Sequence, residues 1–597
     1  MTDLIYELTE AVENIMFDLG INMSVPYGVS SSKYGDLRLI GDKYQYAGCI
    51  KASKDTGITT NDMMKAMEKL ADNKLIETVE TKPMGIILIT PSDYAYAGYA
   101  NSIWSNQCVS LRLPKVQPKY IIMDYGGPNM AKPMHVGHMR SAILGDTLYK
   151  MFEKVGHTVL SDIHYGDYGI HMGIVAIEMM DDDTIDTPDA MGMAYKRGRE
   201  RYHTCEDYRI RVVKRTYDMQ NTTCYYQRKI VDTCLPVITK TYDRLGIRFD
   251  EYSGESDFMM LHGMNAYSYG PQWSRKILGV ITKERDGTRI IRVDEPDDNK
   301  EYPPLMIQNS DKLFGYGATD MMTMVERLTC SENVYLCEDE TGASDVTYES
   351  VSEIVYVVDQ RQSLHFEQLF RAAKKVFPDT DCKFAHIGFG TVNGEDNKPL
   401  KTREGDNMSL EELLDVAQAK ALERVDASDL GGNTNVPYGT RKRIARIIST
   451  AAIRYSDLKN NRMTNYKFDI NRALDNVGMT APYILYTAVR LNKLVKDTPL
   501  PDQAHGITIQ ADEERTLLTV IAQYSRVFDK AYHQREPHHL AVHLYDLAKA
   551  ASQFYSKCRV QDQETHILAS RIKLASLALW QIKDICGLLG LEIPPFM

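Results

Sequence analysis

Apolar residues near the start of the chain recur at helical spacing, and a strand-like run follows them. One face of the predicted first helix carries Leu4, Leu8, Val12, Ile15 and Met16. The apolar run at 85–90, Gly-Ile-Ile-Leu-Ile-Thr, is typical of a strand. Two prolines in the segment 113–118 then interrupt the pattern and predict a linker. We therefore predict a small α/β domain over residues 1–112.

After the linker, the pattern becomes strand, glycine-rich loop, amphipathic helix and second strand. The strands are predicted at Tyr120–Asp124 and Thr158–Leu160, and the loop Gly-Gly-Pro-Asn at 126–129 follows the first of them. The helix has one apolar face, formed by Val136, Met139, Ile143, Leu148, Met151 and Val155. A further strand at Ile354–Val358 resumes the sheet. This order opens a doubly wound fold, so we predict a Rossmann-type parallel sheet within residues 113–430.

Two further regions of the chain are predicted to be mainly helical. Residues from about 180 to 245 are predicted to be helical, and their richness in Arg, Lys and Tyr indicates an insertion into the sheet domain. Beyond the glycine pair at 431–432 the pattern is helical to the end of the chain. We therefore predict an all-α domain over residues 431–597.

Length and composition limit the class of protein. At about 150 residues per domain, 597 residues predict roughly four structural units. A hydrophobic share of 43% and a charged share of 25% exclude disorder and a disulfide scaffold. No uncharged apolar run approaches the roughly 20 residues of a membrane span, and the acidic start is unlike a signal or transit peptide. The ten cysteines form no CxxC pair, which favours reduced thiols in the cytoplasm.

The net charge of −11 counts against a nucleic-acid partner, but the cations are concentrated in two segments. The stretch 441–462 contains seven cations and a single acid, Asp457. The insertion adds basic residues between tyrosines over 196–215, which suits RNA backbone contacts with base stacking. A solvated helix face is the alternative for such a run, and for the insertion the two interpretations are equally supported.

The segment Gly127–Arg140, GPNMAKPMHVGHMR, lies between the first strand and its helix. Doubly wound sheets bind nucleotides at this position, where a helix N-terminus offers free N–H groups to phosphate. His135 and His138 share the first helical turn, and Gly137 leaves room for a flat ring against the backbone. Two imidazoles here can donate hydrogen bonds to a phosphate that is being displaced. A bare HVGH would be weak evidence, so the interpretation depends on its position after a strand.

This segment resembles the HIGH-motif region of class I aminoacyl-tRNA synthetases, specifically of the arginyl family. Four further segments resemble that family's motifs in the same order: His164–Gly169, Arg248–Ser256, Tyr316–Asp320 and Val358–His365. The counterpart of the second class I signature, KMSKS, is a degenerate loop at 394–405. The resemblance runs from about residue 119 to the C-terminus, with Tyr168 in place of the usual Trp and Ile163 in place of the usual Asn.

The resemblance implies ATP-dependent ligation of L-arginine to tRNA(Arg) through an arginyl-adenylate. It implies ATP as a substrate with Mg²⁺ carried by the nucleotide, and we expect no structural metal held by the protein. The N-terminal domain is then expected to contact tRNA and the C-terminal helical domain to bind the anticodon. The protein is also expected to be a monomer in the cytoplasm, without a membrane partner.

The resemblance also implies a role for individual residues. The catalytic residues would be His135, His138, Lys398 and Lys401. The ATP-binding residues would be Lys132, His135, Gly137, His138, Lys398 and Thr402. Arginine would be bound by Asn129, Asp162, Tyr316, Asp320 and Gln362, where the acids suit a permanently charged guanidinium. The tRNA contacts would be Arg441, Arg446, Arg454, Tyr483 and Tyr486.

Two alternatives remain open at this stage. A class I synthetase for another amino acid would share the nucleotide motifs. A non-catalytic, synthetase-like RNA-binding protein would share the fold, although the intact His135, His138 and Asp320 count against it. The run Asp181–Asp183 is interpreted as a solvated loop rather than a metal site, because consecutive acids point in different directions.

Overall fold

The computed structural model describes residues 37–40, 43–49, 71–82, 86–105, 113–257, 277–329, 351–394, 408–428 and 436–597, apart from residues 115, 223, 278, 300 and 502–504; positions 65, 68 and 69 are also described. The chain forms two compact units, one of residues 1–115, 424–455 and 474–597 and the other of residues 116–423 and 456–473. The helix predicted over Leu4–Met16 lies outside the described residues.

In the N-terminal part of the first unit, the described residues form an antiparallel sheet followed by a helix. Its strands are β1 (Leu37–Ile40), β2 (Lys43–Cys49), β3 (Ile76–Lys82) and β4 (Ile86–Pro91), in the order β1-β2-β4-β3. Helix α1 (Asp93–Ser105) follows β4 and buries one face, which includes Tyr96, Ala100 and Ile103. The strand predicted at 85–90 is β4, and the predicted α/β character of this region is confirmed.

The second unit is built on a five-stranded parallel sheet. Its elements begin with β5 (Tyr120–Tyr125), α2 (Val136–Val155) and β6 (Thr158–Tyr165). Later segments add β7 (Glu251–Gly254), β11 (Glu353–Val357) and β12 (Lys383–His386), and the strand order is β12-β11-β5-β6-β7. All four neighbouring pairs are parallel, which confirms the predicted doubly wound sheet. The strand order reverses direction beside β5, where folds of this kind open a crevice.

The predicted insertion is helical. Between β6 and β7 the chain forms α3 (Ile170–Asp181), α4 (Pro188–Thr204), α5 (Glu206–Asn221) and α6 (Tyr225–Arg244). Several of its cations are paired with acids of the same region: Arg201 lies 2.8 Å from Glu178, and Arg211 lies 2.6 Å from Asp181. Asp181 therefore ends α3 in an ion pair, whereas Asp182 and Asp183 are exposed as predicted.

The remaining elements of the second unit surround the sheet. Strands β8 (Ile281–Lys283), β9 (Arg289–Ile291) and β10 (Leu305–Gln308) form an antiparallel sheet, and α7 (Tyr316–Thr329) and α8 (Ser363–Val376) pack with it in one apolar core. The second unit also contains β13 (Val392–Asn393), β14 (Tyr466–Lys467), α11 (Ile470–Ala473) and most of α9 (Leu410–Ala427), whereas most of α10 (Tyr438–Leu458) belongs to the first unit. Helices α9 and α10 extend from one unit into the other along the chain.

The C-terminal part of the chain is helical, as predicted. Its helices are α12 (Ala481–Asp497), α13 (Asp512–Ala522), α14 (Tyr524–Gln534), α15 (His538–Lys557) and α16 (Thr565–Leu589). The apolar face of α15, which includes Leu540, Leu544 and Leu547, is buried in the bundle. Among the described residues, no helix is both long enough and apolar enough to cross a membrane.

Candidate active site

A cleft of about 470 Å³ opens at the carboxyl ends of β5, β6 and β11. It brings together residues that are far apart in sequence, and most of those predicted for ATP and arginine are among them. The lining includes Asn129, His135, Gly137, His138, Tyr316, Asp320 and Gln362. The predicted nucleotide loop and the predicted amino acid pocket therefore face one space.

The two histidines form a reciprocal cap at the start of α2. His135 Nδ1 accepts a hydrogen bond from the Gly137 N–H at 3.1 Å, and His138 Nδ1 accepts one from the His135 N–H at 3.1 Å. The rings stack with centroids 4.0 Å apart. A neutral imidazole that accepts at Nδ1 carries its proton on Nε2. Both rings are thereby fixed as Nε2–H donors.

The electrostatics of the cleft keep both rings neutral. Burial, followed by the charge of Arg361, lowers the pKa of His135. Burial and the neighbouring His135 lower the pKa of His138 to about 3. At neutral pH the pair thus offers two hydrogen-bond donors without adding positive charge. Such donors can stabilise charge that develops on a phosphate oxygen.

The loop between β5 and α2 is held against the end of β6. The Met130 N–H donates to Gly166 O at 2.8 Å, and the Gly166 N–H donates to Pro128 O at 2.9 Å. A Cβ on Gly127 would lie 2.1 Å from the carbonyl oxygen of His164, so only glycine permits this close approach. The loop position of Asn129 is set by these backbone contacts.

The acidic side of the cleft is formed by α7. Tyr316 and Asp320 lie one helical turn apart and both line the cleft, as their spacing predicts. His365 of α8 lies with Nε2 2.5 Å from Asp320 Oδ2, and its ring contacts the Tyr316 ring edge-on at 4.7 Å. Because a carboxylate can only accept, His365 donates and orients Asp320.

Glu255 also lines the cleft, although it is not among the site residues predicted from the sequence. It follows β7, and its neighbour Ser256 donates from N–H and O–H to Asp167 at 2.8 and 2.6 Å, which fixes the turn. Burial, then the charges of Asp320 and Asp167, raise the pKa of Glu255 well above its ordinary value. The signal was present, because Glu255 belongs to the segment 248–256 that carries part of the family resemblance.

Among the described residues, two of the predicted ligands do not line the cleft. Asp162 is buried beneath it, with Oδ2 2.6 Å from Arg327 Nη2, so the predicted direct contact with arginine is corrected. Lys132 turns toward the insertion, where its Nζ lies 4.9 Å from the centroid of the Tyr195 ring. Burial, then the charge of Arg199, lowers the pKa of Lys132. Its predicted contact with ATP is not part of this arrangement.

The predicted tRNA contacts differ in exposure. Arg454 is fully buried and donates from Nε to Leu589 O at 2.8 Å, so its prediction as an RNA contact is wrong. Arg441 and Arg446 are partly exposed and lie 3.2 and 3.3 Å from Asp426 and Glu592. On α12, one turn apart, Tyr483 is half-buried and Tyr486 is exposed. Lys398, Lys401 and Thr402 lie outside the described residues.

One group of potential metal ligands occurs among the residues that the structure describes. Glu536 lies between α14 and α15, and His538 and His539 are the first two residues of α15. Glu536 Oε2 is 3.3 Å from His539 Nε2 and 3.8 Å from His538 Nδ1, while His539 Nε2 is also 2.9 Å from Gln534 Oε1. Their mutual contacts account for the proximity without an ion.

Comparisons with known proteins agree with the geometry. The catalytic-domain model for class I (R) tRNA synthetases matches residues 105–470, and the DALR anticodon-binding domain model matches residues 484–597. The arginine–tRNA ligase of Maricaulis maris is 33% identical over 93% of each chain. That of Hyphomonas neptunium is 31% identical over 98% of this chain and 100% of its own.

Solved structures share the fold at lower identity. The arginyl-tRNA synthetase of Plasmodium falciparum has a TM-score of 0.70 at 19% identity and covers 100% of both chains. That of Thermus thermophilus has a TM-score of 0.70 at 20% identity over 99% of both chains. By its family matches and its curated relatives, this chain belongs to the arginyl-tRNA synthetases of class I.

Proposed function

We propose that the cleft carries out the arginine–tRNA ligase reaction, with L-arginine and ATP side by side in one space. The arginine carboxylate attacks the α-phosphate of ATP, forming arginyl-adenylate and releasing pyrophosphate. The terminal ribose hydroxyl of tRNA then attacks the adenylate carbonyl, forming arginyl-tRNA and releasing AMP. The observation that carries the proposal is the shared cleft, lined by the histidine pair and by Asp320 of α7.

His135 and His138 act on the phosphate as neutral donors. Their Nε2–H groups are fixed by the Nδ1 contacts, so they are organised before ATP binds. The negative charge that builds on the α-phosphate oxygens during attack is then stabilised without reorganisation of the site. The reaction needs no side-chain nucleophile, since the arginine carboxylate is itself the attacking group.

Arginine is selected by carboxylates at one end of the cleft. Asp320 and Glu255 accept from the guanidinium, with Tyr316 beside them, because a planar cation of five donors matches a pair of acids. Asn129 and Gln362 hold the α-amino and carboxylate groups. We therefore expect the reacting carboxylate of arginine to face the histidines and its side chain to face α7.

We further propose that the segment 394–405 contributes to the nucleotide site. By family resemblance, Lys398 and Lys401 neutralise the departing pyrophosphate and Thr402 contacts ATP, whose Mg²⁺ travels with the triphosphate. Arg441, Arg446, Tyr483 and Tyr486 contribute to tRNA binding. We also propose that the protein works as a monomer in the cytoplasm. The cysteines at 205, 224, 234, 382, 558 and 586 are free thiols, which fits a reducing compartment.

The test is aminoacylation by the purified full-length chain. Arginine should be attached to tRNA(Arg), whereas glutamine, glutamate and cysteine should not. By family resemblance, pyrophosphate exchange should require tRNA. Preference for an anionic amino acid would contradict the acidic pocket, and tight tRNA binding without any aminoacylation would support the non-catalytic alternative instead.

Gly137→Ala should lower the rate of adenylate formation by about 100-fold, because the His135 donor would be displaced. A Cβ at this position would lie 2.8 Å from His135 Cε1 and 2.9 Å from Nδ1. Pyrophosphate exchange with tRNA present measures the rate of adenylate formation in each variant. Gly98→Ala is the matched control, since a Cβ at that helical position meets nothing within 4 Å. Equal rates in both variants would contradict the role of the ring position.

The KM for arginine should fall as pH rises until Glu255 ionises in the free enzyme. The raised pKa of Glu255 keeps it neutral at lower pH, and the arginine cation binds the ionised form more strongly. Binding therefore releases a proton. KM measured across pH 6 to 9 should fall less steeply in Glu255→Gln, which cannot ionise, and the titration of arginine itself cancels in the comparison. Parallel profiles would refute the assignment.

A further inference from the structure

A buried arginine of the protein itself lies next to the proposed arginine site. Arg327, on α7, has Nη2 2.8 Å from Asp124 Oδ2 and 2.6 Å from Asp162 Oδ2. The two acids are paired across β5 and β6 in register, and Asp124 also lines the cleft. One guanidinium thus spans the carboxylates of two neighbouring strands at the floor of the cleft.

The side chain of Arg327 carries the same guanidinium group as the proposed substrate, L-arginine. A guanidinium between two carboxylates is what the cleft is expected to provide for L-arginine, and Asp124 is open to the same space as Asp320. If Arg327 were absent, Asp124 and Asp162 would form a second acidic site that competes for a guanidinium. Arg327 stays charged, because Asp124, Tyr356 and Asp162 together outweigh the effect of burial and hold the pKa of Arg327 well above its ordinary value.

Fold stability alone does not explain well why Arg327, Asp124 and Asp162 form a buried ion triad. Buried ion pairs are often replaced by apolar side chains at no cost in stability. In the described part of the chain, moreover, Arg327 Nη1 and Asp162 Oδ1 are buried without a hydrogen-bond partner, which is unfavourable. A buried charge cluster that is only partly satisfied suits a site where specificity matters more than stability.

The helix connects the triad to the substrate pocket. Arg327 and Asp320 are seven positions, or about two turns, apart on α7, so they lie on the same side of the helix. We infer that Arg327 is a positioning residue: it occupies Asp124 and Asp162 with the protein's own guanidinium and so directs the substrate guanidinium to Asp320. The inference rests on the proposed function of the cleft.

Two variants separate this role from simple packing. Arg327→Met leaves both acids uncompensated, and the triple variant D124N/D162N/R327M removes all three charges while keeping side chains of similar size. In Arg327→Met, arginine should also bind unproductively at the vacated acids, so kcat and KM in pyrophosphate exchange should fall together by about tenfold. The triple variant should return both constants to within about threefold of the wild type. If Arg327→Met does not fold, the triple variant alone decides, because kinetic constants that differ from the wild type by more than about threefold would overturn the inference.

Methylguanidinium provides a readout that does not depend on catalysis. At millimolar concentration it should raise the Tm of Arg327→Met more than that of the wild type, and this gain should vanish in the triple variant, because binding to the folded state stabilises it. Failure of the wild type to activate arginine would overturn the proposed function but leave this binding test intact. A lower kcat with unchanged KM in Arg327→Met, not restored in the triple variant, would overturn the inference. An equal Tm shift in all three proteins would do the same.

Discussion

Asp320→Asn should reduce kcat/KM for arginine by about 100- to 1000-fold while the fold and the affinity for tRNA stay unchanged. The substitution keeps the shape of the side chain but removes the charge that faces a permanently charged substrate. Loss of one partner of a buried charge pair costs about 2–5 kcal/mol, or about 30- to 5000-fold, and the expected loss lies within this interval. His365, which orients Asp320 at 2.5 Å, would then face a neutral amide.

The measurement is pyrophosphate exchange with tRNA present, over a series of arginine concentrations. Asp297→Asn is the matched control, because that carboxylate is exposed and lies outside the cleft lining. Its kinetic constants should equal those of the wild type. An unchanged KM for arginine in Asp320→Asn would refute the proposed role of Asp320, and weakened tRNA binding would indicate a wider structural effect.

The spacing of residues in the sequence predicted the geometry of those parts of the site that lie within a single element. His135, Gly137 and His138 lie within one helical turn, and Tyr316 and Asp320 lie within another, so short sequence motifs contained their geometry. The parallel sheet was predictable for the same reason, because strand, loop and helix follow one another directly. These parts of the fold depend on neighbours in sequence.

The corrections all concern partners that are distant in sequence. The family resemblance implied that Asp162 binds arginine, but Arg327, 165 positions away, already occupies it. Arg454 counted as one cation of a basic stretch, yet the structure buries it against the backbone at Leu589. Glu255 was passed over because an isolated acid gives no sign of its burial. Pairing across elements decides these cases, and a single sequence does not record it.

Pairing across elements also limits what can be inferred from the number of cations in a segment. The seven cations of 441–462 suggested a basic surface, but several are engaged by acids or by backbone oxygens. Arg441 and Arg446 lie beside Asp426 and Glu592, and Arg462 donates to Gly388 O at 2.6 Å. The surface available to RNA is therefore narrower than the cation count implies, and partly exposed side chains such as Arg446 are its better candidates.

Arg140→Met should destabilise the catalytic unit by about 3–5 kcal/mol, because it leaves a buried carboxylate without a counter-charge. Arg140 ends the signature segment on α2 and is fully buried, with Nε 3.2 Å from Asp457 Oδ1. Its Nη1 also donates to Gly390 O at 2.6 Å and to Thr464 O at 3.0 Å. One side chain thus joins the helix that carries both histidines to two later segments of the same unit.

The expected result is a fall in Tm of about 5–10 °C for the transition of this unit, given the size of the energy change. Arg209→Met is the matched control, since Arg209 and Glu206 form an exposed ion pair at 2.6 Å. Exposed pairs contribute at most about 1 kcal/mol, so its Tm should barely change. The double variant R140M/D457N should recover part of the loss, because it removes the stranded charge. Equal Tm values for Arg140→Met and Arg209→Met would show that burial of the Arg140 pair does not hold the signature helix in place.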